Sequence, residues 1–440
     1  MGSLRHLIVI VPGIVGSVLT APDGFSEWDL RAGDLVRAVL DPENLAIERE
    51  LTPTRLVDDL TVLKPWLVVP GYGALTHHLR TQFGPELRVV DFRSDRAVPP
   101  DVDVLRVPYD FRRSIVEAAD VLGRAVCAAV GDSGRKVIVV AHSMGGLVAR
   151  YWIGPGGGWR HWRALITLGT PHRGAPRALD VLVNGAGLGR FRIPSVTRVL
   201  RGWPSVYELL PQYPAVLPET GGPIEIDALP PELLRTFGSP SAGVEFLKRA
   251  GEAAQVHRDI AAAWANIPSG KAPTVLPYFG RGHRTLNRAV IQSGRLRIDK
   301  EDPSWRPNAG WRGDGTVPAL CAIPGELRTR PELAQAVPDK HGPMGTTEVV
   351  IERLVTLQGE DLPMRGTDRP PWPWIGWDVD DTIPADAQIV IGAQLHGGAG
   401  GPSEITGSAA SLLLTGEGSR VALKMAFSED GLAGDPAAAA

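Results

Sequence analysis

The chain is poor in cysteine. Cys127 and Cys321 are the only two among 440 residues, and each lies beside apolar neighbours. Two thiols build no disulfide framework, so the fold must rest on its core, and a reducing compartment or indifference to oxidation fits this usage. Neither sign of charge is in excess: 46 Lys and Arg stand against 49 Asp and Glu, for a net charge of −3. That balance gives no global attraction to nucleic acid. A membrane-spanning run is missing too. The apolar amino-terminal stretch is interrupted by Pro12, Gly13 and Gly16, well short of the roughly 20 residues a spanning helix needs. Arg5 ahead of it gives the look of a signal peptide, but no A-x-A cleavage pattern closes it. A cytoplasmic location is expected. His77 and His78 have no metal-ligand partners nearby in sequence, and the glycine clusters at 154–158 and 397–401 lack phosphate-loop spacing. No metal or cofactor is expected, and no internal repeat is visible.

What is present is a globular composition, 43% hydrophobic and 22% charged, on a chain longer than one ordinary core requires. Short apolar runs bounded by turn residues occur at 7–11, 104–107, 137–140, 164–168 and 274–279. They read as strands of a mostly parallel sheet buried on both faces. A helix is expected over 114–130, capped by Ser114. The alternation predicts α/β architecture, with ligands gathered at the strand carboxyl ends. Two long excursions interrupt it, at 20–100 and at 173–272, the second expected as a cap or lid. Beyond the tryptophan-proline stretch 368–381, residues 376–440 read as a small β-rich C-terminal appendage. The expected division is therefore 1–375 and 376–440.

Chemistry concentrates in "VIVVAHSMGGLVARYWI" (137–153). Strand, sharp small-residue turn and helix place Ser143 in a variant of the G-x-S-x-G elbow, with Ala141 at the first glycine position. The bland alternative is a helix N-cap. A serine hydroxyl is a weak nucleophile and needs a base with an orienting acid, which in elbow folds follow in the order acid, then histidine. Asp314, between glycines in "GWRGDGTVPAL", is the candidate acid, although Asp-Gly pairs also simply make turns. Two histidines follow. His341 lies in a polar Gly/Pro loop, whereas His396 belongs to the appendage. His172 competes from just beyond a strand but precedes the acid, and His142 is expected to point away from Ser143. For an oxyanion, the N–H of Met144 is one candidate donor. The turn "VPGIVGS" offers the other at Ile14, because Pro12 has no N–H. In "VPYDFRRS", Asp110 and its arginines are expected to pair internally. The run Arg173, Arg177, Arg190, Arg192, Arg198 and Arg201 reads as a solvated face, or as a site for anionic headgroups or a phosphate-bearing substrate.

The segments "VPGIVGS", "VPYDFRRS", "VIVVAHSMGGLVARYWI", "LITLGTPHRGAP", "GDGTVPAL" and "HGPM" occur in one order from residue 7 to about 345. In this the chain resembles the lecithin:cholesterol acyltransferase family, a branch of the α/β-hydrolases that includes lysosomal group XV phospholipase A2. The resemblance implies an α/β-hydrolase fold with an inserted cap, a Ser143–Asp314–His341 triad and an oxyanion hole at Ile14 and Met144. It also implies a lipid-like acyl ester as substrate, with excursions 20–70 and 180–270 shaping the entrance. Secreted members staple part of the lid with a disulfide; neither cysteine here is comparably placed, in keeping with an intracellular setting. A small-ester carboxylesterase and a non-catalytic binding or scaffold protein are the alternatives.

Overall fold

Runs such as Leu7–Val11 and Val137–Val140 alternate neither charge nor polarity, so only a sheet covered on both faces can bury them. The computed structural model describes residues 4–29, 37–58, 71–188, 191–230, 239–268, 274–304, 310–327, 333–342 and 348–359, with the strands 374–378, 392–396, 409–416 and 419–426. The chain divides into two compact units, Met1–Leu362 and Pro363–Ala440.

The first unit is built on β1 (Leu7–Val11), β2 (Val89–Asp91), β3 (Val104–Arg106), β4 (Val137–His142), β5 (Trp162–Leu168), β6 (Thr274–Gly280) and β7 (Gln335–Val337). Their spatial order is β7-β6-β5-β4-β1-β3-β2, and every pairing is parallel. Each expected strand is present. The two edge strands, β2 (VVD) and β7 (QAV), were not anticipated: each holds only two apolar residues, too short a run to read. β4 lies at the centre, with Val137 to Ala141 buried between β1 and β5. Each such side chain contributes roughly 1.5–3 kcal/mol of burial, so the strand that carries Ser143 is a rigid support.

Among the described residues the main helices are α1 (Gly73–Phe83), α2 (Ile115–Val130), α3 (Met144–Ile153), α4 (Pro176–Asn184), α5 (Pro194–Gly202), α6 (Pro204–Tyr207), α7 (Pro240–Ala265) and α8 (Glu348–Gln358). α2 starts where expected, with the Val116 N–H donating to Ser114 Oγ. Each described α-helix of the 173–272 excursion, α4 to α7, opens on proline. Its preset φ suits the first turn, where its missing N–H would have no helical partner.

The early excursion forms an antiparallel sheet of Ser17–Thr20, Ser26–Trp28 and Thr52–Leu56. Arg112 fastens it to the end of β3. The fully buried guanidinium donates to both Asp110 oxygens (2.9 and 2.7 Å) and to the carbonyls of Ala46 and Arg49. Internal pairing of Asp110 is therefore what the structure has. Phe111 bridges the two excursions, edge-on to Trp28 at 6.0 Å and to Trp203 at 5.5 Å.

In the second unit, Trp374–Asp378 pairs antiparallel with Gly392–His396, and Ala409–Gly416 with Ser419–Ala426. The first of these strands lies in the tryptophan-proline stretch that reads as a linker.

Candidate active site

Ser143 follows β4 and precedes α3. Its φ of 52° and ψ of −126° are unusual for a residue with a side chain, a strain held by what surrounds it. Its own N–H donates to Leu168 O on β5 (2.8 Å). Gly145 lies so close to β1 that a Cβ there would sit 2.3 Å from Pro12 O, which is why the elbow needs small residues. The Ser143 hydroxyl caps nothing in α3. It donates instead to His341 Nε2 at 2.8 Å.

His341 Nδ1–H donates to Asp314 Oδ2, also at 2.8 Å. Because the carboxylate accepts at Nδ1, Nε2 is left bare toward the serine. Asp314 is buried, and its other oxygen accepts the N–H groups of Thr316 (2.8 Å) and Val317 (2.7 Å). The Asp-Gly turn and the orienting carboxylate are thus one structure. Thr285 Oγ accepts from both Gly313 and Gly315 N–H at 3.1 Å, and His283 Nε2–H donates to Pro338 O at 2.7 Å. One loop after β6 therefore holds the approaches to both Asp314 and His341. The His341 N–H in turn donates to Asp314 O (3.0 Å).

The turn after β1 passes against the serine, since a Cβ on Gly13 would fall 2.8 Å from Ser143 Cβ. Its peptide groups are fixed one by one. Tyr109 Oη donates to Pro12 O (2.7 Å), and Gly13 N–H donates to Tyr72 Oη (2.8 Å). Gly16 N–H donates to Gly13 O, and Trp28 Nε1–H to Val15 O. Val15 is held at φ 60°. The Ile14 N–H is engaged by no backbone acceptor among the described residues, nor is that of Met144 at the head of α3. A developing oxyanion calls for two such N–H donors.

The remaining candidates separate cleanly. His172 is buried with Nε2 facing Thr167 Oγ at 3.2 Å, and burial, with Arg150 nearby, holds its pKa well below the ordinary 6.5. His142 is not aimed at Ser143; its ring lies 5.2 Å from that of His341. Burial, reinforced by His341, lowers its pKa to about 4. Within the arginine run, Arg192 and Arg177 approach Asp180, Arg198 pairs with Glu43, Arg201 donates to the Leu182 and Val183 carbonyls, and Arg173 lies over Tyr213. Arg177 and Arg198 keep 53% and 71% exposure; Arg190 lies outside the described residues. Among the described residues no cluster of His, Cys, Asp and Glu could hold a metal ion, and no helix is long and apolar enough to cross a membrane. The side chains of His396 and its surroundings also lie outside the described residues. Tyr72, Tyr109, Thr285 and His283 were not foreseen, because each acts on backbone groups distant in sequence.

Residues 94–221 match the family model of lecithin:cholesterol acyltransferase. Over those residues the chain is similar to that family. The matched span carries the Ser143 elbow and the Asp110–Arg112 pair, whereas Ile14, Asp314 and His341 lie outside it. A search of curated proteins gives no match. Among solved structures, the Tle4–Tli4 complex is similar at 14% identity, covering 80% of this chain and 98% of that one with a TM-score of 0.54. Mature Bacillus licheniformis lipase BlEst2 is similar at 13% identity, covering 80% and 91% with a TM-score of 0.36. The fold is that of an α/β-hydrolase, with a seven-stranded parallel sheet and additional small β-sheets.

Proposed function

We propose that this chain cleaves lipid-like acyl esters through an acyl-Ser143 intermediate. The observation that carries the reading is the pair of 2.8 Å contacts joining Ser143 Oγ to His341 Nε2 and His341 Nδ1 to Asp314. In this mechanism Ser143 Oγ attacks the ester carbonyl and its proton passes to His341 Nε2. Asp314 holds the ring and stabilises the imidazolium, while the Ile14 and Met144 N–H groups receive the negative oxygen. Collapse breaks the ester C–O bond, and His341 returns the proton to the leaving alcohol. Water or a second alcohol, deprotonated by the same histidine, then removes the acyl group. Hydrolysis and acyl transfer differ only in which acceptor reaches the acyl-enzyme.

The lipid-like substrate is supported by the lecithin:cholesterol acyltransferase match and by the long 173–272 excursion. An anionic lipid surface would be met by the exposed Arg177 and Arg198. A series of p-nitrophenyl esters from acetyl to palmitoyl tests the substrate class. Each methylene buried in an apolar groove adds about 0.8 kcal/mol, so kcat/KM should climb severalfold per methylene until the groove fills. Activity on anionic vesicles should fall with added salt, while activity on a neutral soluble ester should not. A strict acetyl preference with no chain-length response would reject the lipid reading and leave a small-ester hydrolase.

A further inference from the structure

Two groups the mechanism does not use connect its two halves. His142 Nε2 lies 2.9 Å from His341 O, and His142 Nδ1 lies 3.1 Å from Tyr72 Oη. A carbonyl only accepts, so Nε2 carries the hydrogen. In the neutral ring Nδ1 is then bare and accepts from the Tyr72 hydroxyl. The Tyr72 oxygen in turn accepts the Gly13 N–H at 2.8 Å. Every member of this chain has one possible direction, and no donor hydrogen is left over along it. Burial keeps Tyr72 a neutral phenol by raising its pKa, and keeps His142 a neutral imidazole.

We infer that Tyr72 and His142 are positioning residues that lock the oxyanion turn at Gly13–Ile14 in register with the His341 main chain. The inference rests on the acyl-serine reading above. His341 is then held at three points: its N–H by Asp314 O, its ring by Asp314 Oδ2 and its carbonyl by His142. The Pro12–Gly13 peptide is held at both its polar atoms, by Tyr109 and Tyr72. Through Tyr72–His142 a shift of either element is resisted by the other. Such coupling matters only when Ser143, His341 and the donors must agree in position, that is, in the transition state.

The test measures kcat and KM on p-nitrophenyl butyrate, per active site titrated with a fluorophosphonate, for Tyr72→Phe, His142→Gln, His142→Asn and the double variant Tyr72→Phe/His142→Gln. Gln can keep the donor to His341 O and Asn can keep the acceptor for Tyr72, so each breaks one arm. Each single variant should lose about tenfold in kcat, the size of one net hydrogen bond, with KM within twofold. The double variant should fall no further than its worse parent, because the link is already broken. Unchanged kcat per titrated site with only a lower melting temperature, or losses that multiply, would overturn the coupling and leave Tyr72 and His142 as packing residues. A wild-type protein that takes no label at Ser143 would overturn the acyl-serine reading, and this inference with it.

Discussion

Adding one methyl group at Gly13 should disable the site without unfolding the protein. The new Cβ in Gly13→Ala would stand 2.8 Å from Ser143 Cβ and 3.3 Å from His142 Nδ1, where ordinary contact begins at 3.4 Å. Something must therefore move by about 0.6 Å, the difference between those distances. The turn has little freedom to retreat, because Tyr109, Tyr72 and the Gly16 N–H hold the peptides on either side. The displacement falls on the serine or on the Ile14 donor. Misplacing reacting groups by about 1 Å costs about a hundredfold, and losing an oxyanion donor costs 10²–10³-fold. We expect kcat to fall by about two orders of magnitude with KM within threefold, and overpacking to cost about 1–3 kcal/mol of stability. The assay is ester turnover per titrated site beside urea unfolding. Gly251→Ala is the matched control: its Cβ meets nothing within 4 Å in α7, so stability should rise by about 0.5–1 kcal/mol with turnover unchanged. A folded Gly13→Ala protein with kcat within threefold of wild type would refute the placement of this turn at the reaction centre.

Other expectations concern the acid, the buried arginine and pH. Asp314→Asn should leave the fold intact but slow turnover by roughly four orders of magnitude through the wrong His341 tautomer; His341→Ala should match it, while His172→Ala should cost far less, and the reverse ranking would show the wrong base was chosen. Arg112→Ala leaves the buried Asp110 carboxylate only the half-exposed Arg113 at 3.3 Å and should lower unfolding stability by about 3 kcal/mol, with kcat per folded site unchanged; a loss below 1 kcal/mol in urea would contradict its role as the fastener of the early excursion. His142 is held neutral, its pKa lowered to about 4, so the folded state binds fewer protons there than the unfolded chain. Its stabilisation is complete above pH 6.5 and is lost as pH falls toward 4, on the order of 3 kcal/mol in all. His142→Gln should flatten the urea midpoint across that window relative to wild type, and an unchanged slope would show that the ring is not buried neutral.

How much of this was legible depended on whether the signal was local. Strands β1, β4, β5 and β6 are each five residues or longer, mostly apolar, and declare themselves, whereas β2 and β7 hold only two apolar residues each and gain their conformation from a neighbour. Ser143 could be read because strand, turn and helix are contiguous. Asp314 and His341 could be read because their order after the serine and their polar glycine loops are constrained. Ile14 was chosen as the oxyanion candidate because Pro12 has no N–H. Tyr72 gave no such signal: it reaches a backbone group 59 residues away, and Thr285 reaches across 28. His142 was read correctly as turned from the serine, but its bond to the His341 carbonyl depends on a loop 199 residues on. The strand Trp374–Asp378 was hidden by flanking prolines, though its Trp and Ile suit a strand. Local chemistry was visible; the tertiary contacts that hold it still were not.

The central claim is that Ser143 is the one serine activated by both a base and an oxyanion hole. Brief exposure to a fluorophosphonate probe, followed by peptide mapping, tests it directly. We expect a single phosphonylated serine in the peptide spanning residues 137–153, no rapid labelling of Ser143→Ala, and labelling of His341→Ala slowed by several orders of magnitude. Rapid label at any other serine, or equal labelling of Ser143→Ala, would contradict the account.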